Sequence, residues 1–258
     1  MIVFEIRYPG TFPVVSNPKH SRDLMWLFSL LEGQATDAFV ALNLFLALPV
    51  PSPRSFREQR QIDRAEREAI ETELREEIGE RDYSGAFDAI HREVERRFKH
   101  RRWLRGLAPR DYEQRLPFIY AHAFLYAVNS FGNLLAKLVG EETAPSEVQA
   151  RLDDFRAIFP EVVEIRNSAQ HIEDRGRGLG KRGKPLDLKP MDNRIAKAPQ
   201  GGVVILGMLN NDRLGYTTAN GEHAEIAISE ESARAVRDTF QGILNAFAWN
   251  GPPRLLPN

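Results

Sequence analysis

The chain has 258 residues and a formal net charge of −1, with 42% hydrophobic and 28% charged residues. A chain of this length and composition buries a core without covalent staples, which excludes extensive disorder. It contains no cysteine, and this excludes disulfide frameworks, zinc–cysteine sites, iron–sulfur clusters and a thiol nucleophile.

Membrane insertion and export are not expected either. The longest apolar stretch, 38–50, includes Asn43 and is shorter than the ~20 residues that a spanning helix needs. The N-terminus carries Glu5 and Arg7 within an alternating pattern, unlike the basic and then apolar start of a signal peptide. We therefore expect a cytoplasmic protein with no membrane partner.

The first 175 residues favour helices after a short N-terminal strand. Residues 1–20 are expected to form that strand, from alternating β-formers, and a loop. Region 21–175 is predicted to be a helical core, because apolar residues recur at helical spacing between bounding prolines. Within it, 55–105 is typical of a charged helical arm, since charges of both signs surround sparse apolar residues. The predicted helices are 22–48, 55–82, 84–105, 113–139, 145–158 and 160–174.

The C-terminal part differs from this helical region. Residues 175–200 are expected to form a mobile, basic, glycine-rich loop, because 175–197 carries eight basic and two acidic side chains. Alternating β-formers around a turn sequence predict β-hairpins over 203–228. A final helix is predicted over 229–249, with Ser229 as its N-cap.

Together these elements predict a single domain over 1–258. Its class is mainly α, with a helical bundle and one small antiparallel sheet built on the hairpin near 203–228. The N-terminal strand is free to join that sheet.

Common cofactor and metal motifs fail on their context. Gly178, Gly180 and Gly183 match a dinucleotide-binding string, but no strand precedes them and no helix follows. The six histidines show no metal-ligand spacing. The sequence therefore predicts neither a cofactor nor a metal.

One segment carries a candidate active site, with Arg166, Asn167 and His171 in the order Arg-Asn-x-x-x-His. This pattern resembles the Arg-x4–6-His motif of HEPN-superfamily ribonucleases, and the resemblance covers roughly 113–175 and the last helix. It implies a HEPN-like helical bundle and a homodimer with a composite active site. A straight helix would hold Arg166 and His171 ~140° apart, so one phosphate is reached by both only if the helix deforms or two copies meet.

The resemblance implies a metal-independent endoribonuclease that leaves 2′,3′-cyclic phosphate and 5′-hydroxyl ends. It also implies a role as a toxin or antiviral defence effector, with RNA as substrate and a protein partner or antitoxin. The residue types suit this chemistry. Histidine titrates near neutral pH and so fits His171 for general acid or base work. A permanently charged guanidinium fits Arg166 for phosphate oxygens, and Asn167 would orient either group.

Further residues are predicted to contact substrate. In helix 113–139 the polar side chains recur every three or four residues as one stripe, at His122, Tyr126, Asn129, Asn133 and Lys137. If that helix packs on the motif helix, Tyr126 or Asn129 would contact a nucleotide; otherwise the stripe faces solvent. Near the motif, the predicted substrate-binding residues are Gln170, Arg175, Arg177, Lys181 and Arg182.

A second basic patch interleaves with Phe98 and Trp103, an arrangement that suits single-stranded RNA. It comprises Arg92, Arg96, Arg97, Lys99, Arg101, Arg102 and Arg105.

Two alternatives to a nuclease stay open. One is a non-catalytic helical protein for binding or assembly, in which Arg166, Asn167 and His171 are the solvated face of an amphipathic helix. The other is an RNA-binding module that does not cleave.

Overall fold

The computed structural model describes residues 1–15, 18–49, 53–78, 87–192 and 197–257. Parts of the predicted N-terminal loop, charged arm and basic loop therefore lie outside the described residues. As the sequence predicted, the described chain is mainly helical, with small antiparallel sheets of two or three strands. Its helices include none with the length and apolar character needed to cross a membrane.

The helices lie close to their predicted positions, apart from the one that carries the motif. They are α1 (Pro18–Leu46), α2 (Pro53–Ile78), α3 (Phe87–Leu104), α4 (Arg110–Val139), α5 (Ser146–Ile158), α6 (Val162–Gln170), α7 (Ile172–Gly176) and α8 (Glu230–Ala246). The predicted N-cap of α8 is confirmed, because the backbone N–H of Ser232 donates to Ser229 Oγ. The predicted helix 160–174 is instead divided into α6 and α7.

The strands are short and all of their pairings are antiparallel. They are β1 (Ile6–Tyr8), β2 (Phe12–Pro13), β3 (Met191–Asp192), β4 (Lys197–Ala198), β5 (Leu206–Asn210), β6 (Arg213–Thr217), β7 (His223–Ala227), β8 (Trp249–Asn250) and β9 (Arg254–Leu256). Strands β5, β6 and β7 form one three-stranded sheet in chain order, which confirms the hairpins predicted over 203–228.

The N-terminal strand does not join the hairpin sheet, so that part of the prediction is wrong. Strand β1 pairs with β9, with Ile6 opposite Leu256, and β2 pairs with β8. The physical reason is that β1 packs on α8, and the chain leaving α8 returns directly beside it. The Tyr8 ring contacts Phe240 and Trp249 edge-on, which buries the inner face of β1.

The chain divides into two compact units, Met1–Ala47 with Pro117–Asn258 and Leu48–Leu116. The first unit contains the large core and the motif. Aromatic side chains from α4, α5 and α8 meet in this core, where the Phe131 ring lies 5.5 Å from Phe155 and 6.1 Å from Phe240. Gly132 permits this packing, because a Cβ at that position would lie 2.7 Å from the Phe155 ring.

The second unit contains the helical arm predicted over 55–105. Helices α2 and α3 pack together around a small apolar cluster of Ile70, Leu74, Ile90, Val94 and Phe98. Around it, arginines pair with glutamates of the other helix: Arg67 with Glu95, Arg97 with Glu77, Arg101 with Glu73 and Arg105 with Glu66. We call these four pairs the Arg–Glu ladder.

Candidate functional site

Helix α6 carries the motif and packs on the three-stranded sheet. Val162, Ile165 and Ser168 are buried at three-residue spacing, and the helix contacts β5, β6 and β7. Ile172, the first residue after the motif, is 43% exposed. The sheet therefore holds the first two turns of the motif helix and leaves its C-terminal end near the surface.

The helix breaks at His171, which has the non-helical dihedral angles φ −111° and ψ 41°. Its N–H still donates to the carbonyl of Asn167 at 3.0 Å, and α7 then begins at Ile172. The prediction of one continuous helix over 160–174 is thus wrong at this residue. The retained hydrogen bond keeps the His171 backbone on the last turn of α6, and the break redirects only the chain that follows it.

Arg166 is half-buried and has spare donor capacity. Its Nη1 donates to Asn167 Oδ1 at 3.0 Å, so the neighbouring amide holds the guanidinium in place. Its Nε is buried and has no hydrogen-bond partner among the described residues. Within the same residues no carboxylate pairs with Arg166, and the cation is therefore not neutralised locally.

His171 is exposed, with 58% of its side-chain surface accessible, and its Nδ1 lies 3.8 Å from Glu173 Oε1. Its ring nitrogen and the carboxylates of Glu173 and Asp174 all lie within 4.8 Å of one another. Such a set could hold a divalent cation. Histidine spacing along the sequence does not reveal this grouping, because its other two members are carboxylates. Asp174 is already engaged, since Arg177 donates to its carboxylate at 2.9 Å.

The predicted substrate-binding residues after the motif fall into two groups. Gln170, Lys181 and Arg182 are exposed, the last two on a 3₁₀ turn. Arg177 is exposed but paired with Asp174, while Arg175 is only 4% exposed. Arg175 Nη1 donates to the Leu179 carbonyl, and no carboxylate in the described chain pairs with it. A buried Arg175 is not accessible to a nucleotide.

Backbone hydrogen bonds fix the start of the basic segment, in contrast to the mobile loop expected from its glycines. The Leu186 N–H donates to the Gly178 carbonyl at 2.8 Å, and the Lys189 N–H donates to the Gly221 carbonyl at 3.0 Å. Close approach requires Gly221, because a Cβ there would lie 1.9 Å from the Asp187 carbonyl oxygen. These contacts fix the turn that presents Lys181 and Arg182.

The polar stripe of α4 does not form one surface. His122 Nε2 hydrogen-bonds with the Tyr216 hydroxyl, and Tyr126 is half-buried. Tyr126 lines a groove of about 390 Å³ beside α1, with Val40 and Leu44. Asn129 is only 3% exposed, and its Oδ1 lacks a partner within the described chain. Asn129 therefore cannot contact a nucleotide in this conformation, although Tyr126 remains partly accessible.

The second basic patch is largely neutralised. Arg97, Arg101 and Arg105 belong to the Arg–Glu ladder, and Arg96 pairs with Glu93 at 2.6 Å. Phe98 is buried beneath the Arg67 guanidinium, which lies 3.9 Å from the ring centroid. Arg97, Arg101 and Arg105 hold two helices together, because each pairs with a carboxylate of α2 that sequence position alone does not reveal.

Comparison with known proteins gives no further guidance. No protein-family model, curated protein or solved structure matches this chain. The candidate site rests on its own residues.

A second polar cavity, of about 740 Å³, contains none of the predicted site residues. It lies between β1 and α8 and is lined by Arg7, Arg237, Gln241 and Asn245, among others. The Gln241 side chain is occupied there, since it accepts from the Arg7 N–H and donates to the Arg7 carbonyl, each at 2.8 Å. This cavity has no catalytic grouping comparable to the motif.

Proposed function

We propose that this protein is a metal-independent endoribonuclease of HEPN type, cytoplasmic and active on RNA as a homodimer. The residues assigned to catalysis are Arg166, Asn167 and His171. Gln170, Lys181 and Arg182 are assigned to phosphate or nucleotide contacts. A role as a toxin or defence effector, held in check by a protein partner or antitoxin, belongs to the same proposal.

The proposed reaction needs only proton transfer and charge stabilisation. His171 of one copy takes the proton of the RNA 2′-hydroxyl as that oxygen attacks phosphorus. The bond from phosphorus to the 5′-oxygen breaks, and His171 of the second copy gives a proton to the leaving oxygen. Arg166 donates to the non-bridging phosphate oxygens. The products are a 2′,3′-cyclic phosphate and a 5′-hydroxyl.

The observation that carries the proposal is the state of Arg166 beside the helix break. A half-buried guanidinium with a buried, unpartnered Nε and no carboxylate partner among the described residues is suited to an incoming anion. The break at His171 ends α6 there and leaves the histidine side chain exposed at the end of the motif helix. A purely solvated helix face would not require a buried guanidinium nitrogen without a partner.

The test is cleavage of a mixed-sequence RNA in excess EDTA by the full chain. We expect Arg166→Ala and His171→Ala each to lower the rate by roughly 10²-fold or more. Arg156→Ala and His100→Ala are matched controls, because both side chains are exposed and lie outside the motif. A substrate with 2′-deoxyribose throughout should resist cleavage, and the RNA products should end in cyclic phosphate.

Two results would overturn this proposal in different ways. Absence of cleavage by the wild-type chain, or equal cleavage by all variants, would reject the nuclease. Cleavage that stops in EDTA and returns with Mg²⁺ or Mn²⁺ would assign His171, Glu173 and Asp174 to a metal centre instead.

A non-catalytic assembly protein is the second candidate, favoured by apolar side chains exposed on the second unit. Trp103, Leu104 and Phe87 are 47%, 88% and 67% exposed. Trp103 and Leu104 are neighbours at the end of α3, and adjacent exposed apolar groups are a feature of protein interaction sites, whereas Phe87 lies at the other end of that helix. This candidate predicts binding of a protein partner that survives Arg166→Ala and His171→Ala.

A further inference from the structure

Strand β5 is an open, apolar edge of the three-stranded sheet. It pairs with β6 on one side, and no described strand covers its other side. Leu206 and Met208 are 41% and 40% exposed along it. Phe118 and residues 203–209 line a shallow groove of about 420 Å³ there. Such an edge is a template for pairing with another strand.

Charged residues and proline, two of the usual protections of an edge strand, are missing here. Natural edge strands are blunted with charged residues, proline or a bulge that twists the strand away. Residues 200–210 contain no charge and no proline. The one irregularity is at Gly207, whose φ is +82° and where a Cβ would lie 2.7 Å from the Tyr216 hydroxyl. That irregularity makes room for Tyr216, which hydrogen-bonds with His122, and so has a role other than protecting the edge.

We propose that the β5 edge is the interface between two copies of this chain. The two β5 strands pair antiparallel about a two-fold axis. In an antiparallel pair about a two-fold axis, residue i faces residue j of the other copy and residue j faces residue i, so charges of one sign along the strand would face one another. The uncharged sequence around β5 removes this repulsion and lets Leu206 and Met208 of both copies bury each other. Self-pairing is therefore the occupant that the charge pattern favours.

This interface would also bring the two motifs toward one another. Helix α7, directly after His171, contacts β5, and a Cβ at Gly176 would lie 3.6 Å from Leu206 Cδ1. Helix α6 packs on the same sheet. Joining two sheets at β5 would place both motif helices on one continuous sheet. The use of the two motifs as one active site rests on the proposed nuclease function. The association of the two copies does not.

The test is sedimentation velocity of the full chain at micromolar concentration. The wild type is expected to sediment as a dimer of the 29.4-kDa chain. Met208→Lys and Leu206→Lys are each expected to weaken association roughly tenfold or more, because each copy then places an uncompensated charge in an apolar interface. Ile158→Lys is the matched control, since Ile158 is 51% exposed on α5, away from β5, and should leave the dimer intact.

Charge complementation makes this test specific to the two-fold pairing. Neither Met208→Lys nor Met208→Glu alone should dimerise, whereas an equimolar mixture should form heterodimers. A monomeric wild type, or dimers that persist in Met208→Lys and Leu206→Lys, would overturn the interface. None of these readouts involves RNA, so failure of the interface and failure of the nuclease are distinguishable.

Discussion

Asp63 is a buried charge on which several side chains of the second unit converge. Its side chain is 3% exposed, and its carboxylate accepts hydrogen bonds from Arg102 at 3.3 Å, from Gln59 at 2.8 Å and from Arg110. A buried carboxylate with several donors is costly to disturb, because removing one charge leaves its partners uncompensated. Asp63 thereby fixes the start of α4 against α2.

Substituting Asp63 should destabilise the second unit more than any exposed ion pair. We expect Asp63→Asn to lower the free energy of unfolding by roughly 3–5 kcal/mol, since Arg102 and Arg110 lose their shared anion. Urea unfolding followed by circular dichroism measures this effect. Glu68→Gln is the matched control, because Glu68 is exposed and pairs only with Arg64 among the contacts described, and it should leave the midpoint unchanged. An equal midpoint for both variants would contradict this assignment.

Individual residues also show which features the sequence pattern predicts and which it does not. The N-cap at Ser229 was predictable, because capping depends on residues three apart in sequence. The burial of Arg175 and Asn129 was not predictable, because it depends on what packs above them. Arginine and asparagine are usually exposed, so residue type alone predicted exposed side chains at both positions.

At the level of elements, the Arg–Glu ladder makes the second unit sensitive to pH. Hydrogen bonds from Arg96 and Arg97 hold the pKa of Glu93 at about 2. Arginine neighbours likewise lower the pKa values of Glu73, Glu77 and Glu95 below the ordinary 4.5. Because folding lowers these pKa values, the stabilisation is complete above the unfolded pKa and is lost as pH falls through the folded pKa.

Acid should therefore loosen α2 and α3. As the pH falls below about 4.5, the glutamates of the Arg–Glu ladder take up protons through their lowered pKa values and the interhelical pairs disappear. Hydrogen exchange with mass spectrometry, after correction for the intrinsic pH dependence, should show protection at 53–78 and 87–104 falling over this range. Glu73→Gln and Glu77→Gln together should mimic part of the loss at pH 7. Unchanged protection at pH 3 would contradict a stabilising ladder.

Across the whole molecule, the two ends of the chain are joined in the first unit. Strand β9 covers β1, and the Arg254 guanidinium lies 4.1 Å from the Tyr8 ring centroid. Glu32 accepts hydrogen bonds from both Tyr8 and Arg254, each at 2.9 Å. Burial and the Glu32 carboxylate raise the pKa of Tyr8 well above its usual value, which keeps the phenol neutral as a donor.

Removing the C-terminal strand should destabilise the first unit. Deletion of 253–258 is expected to lower the free energy of unfolding by roughly 2–3 kcal/mol, because β1 loses its backbone partners and Tyr8 loses the guanidinium. Thermal unfolding of the truncated chain measures the loss. Arg254→Ala should produce only part of it, since the backbone pairing stays. A truncated chain as stable as the intact one would show that the terminal pairing contributes nothing.

The sequence by itself determined the positions of most helices and strands, the hairpins after residue 203 and the start of α8. Periodicity, prolines, turn residues and caps act over a few residues, so they can be recognised along the chain. Only the tertiary structure decided three features: the pairing of β1 with β9, the choice of glutamates that pair with the arginines of α3, and the break of the motif helix at His171. No glycine or proline marks that break, and the pairings join residues far apart in sequence. Their energies come from packing, which no local pattern encodes.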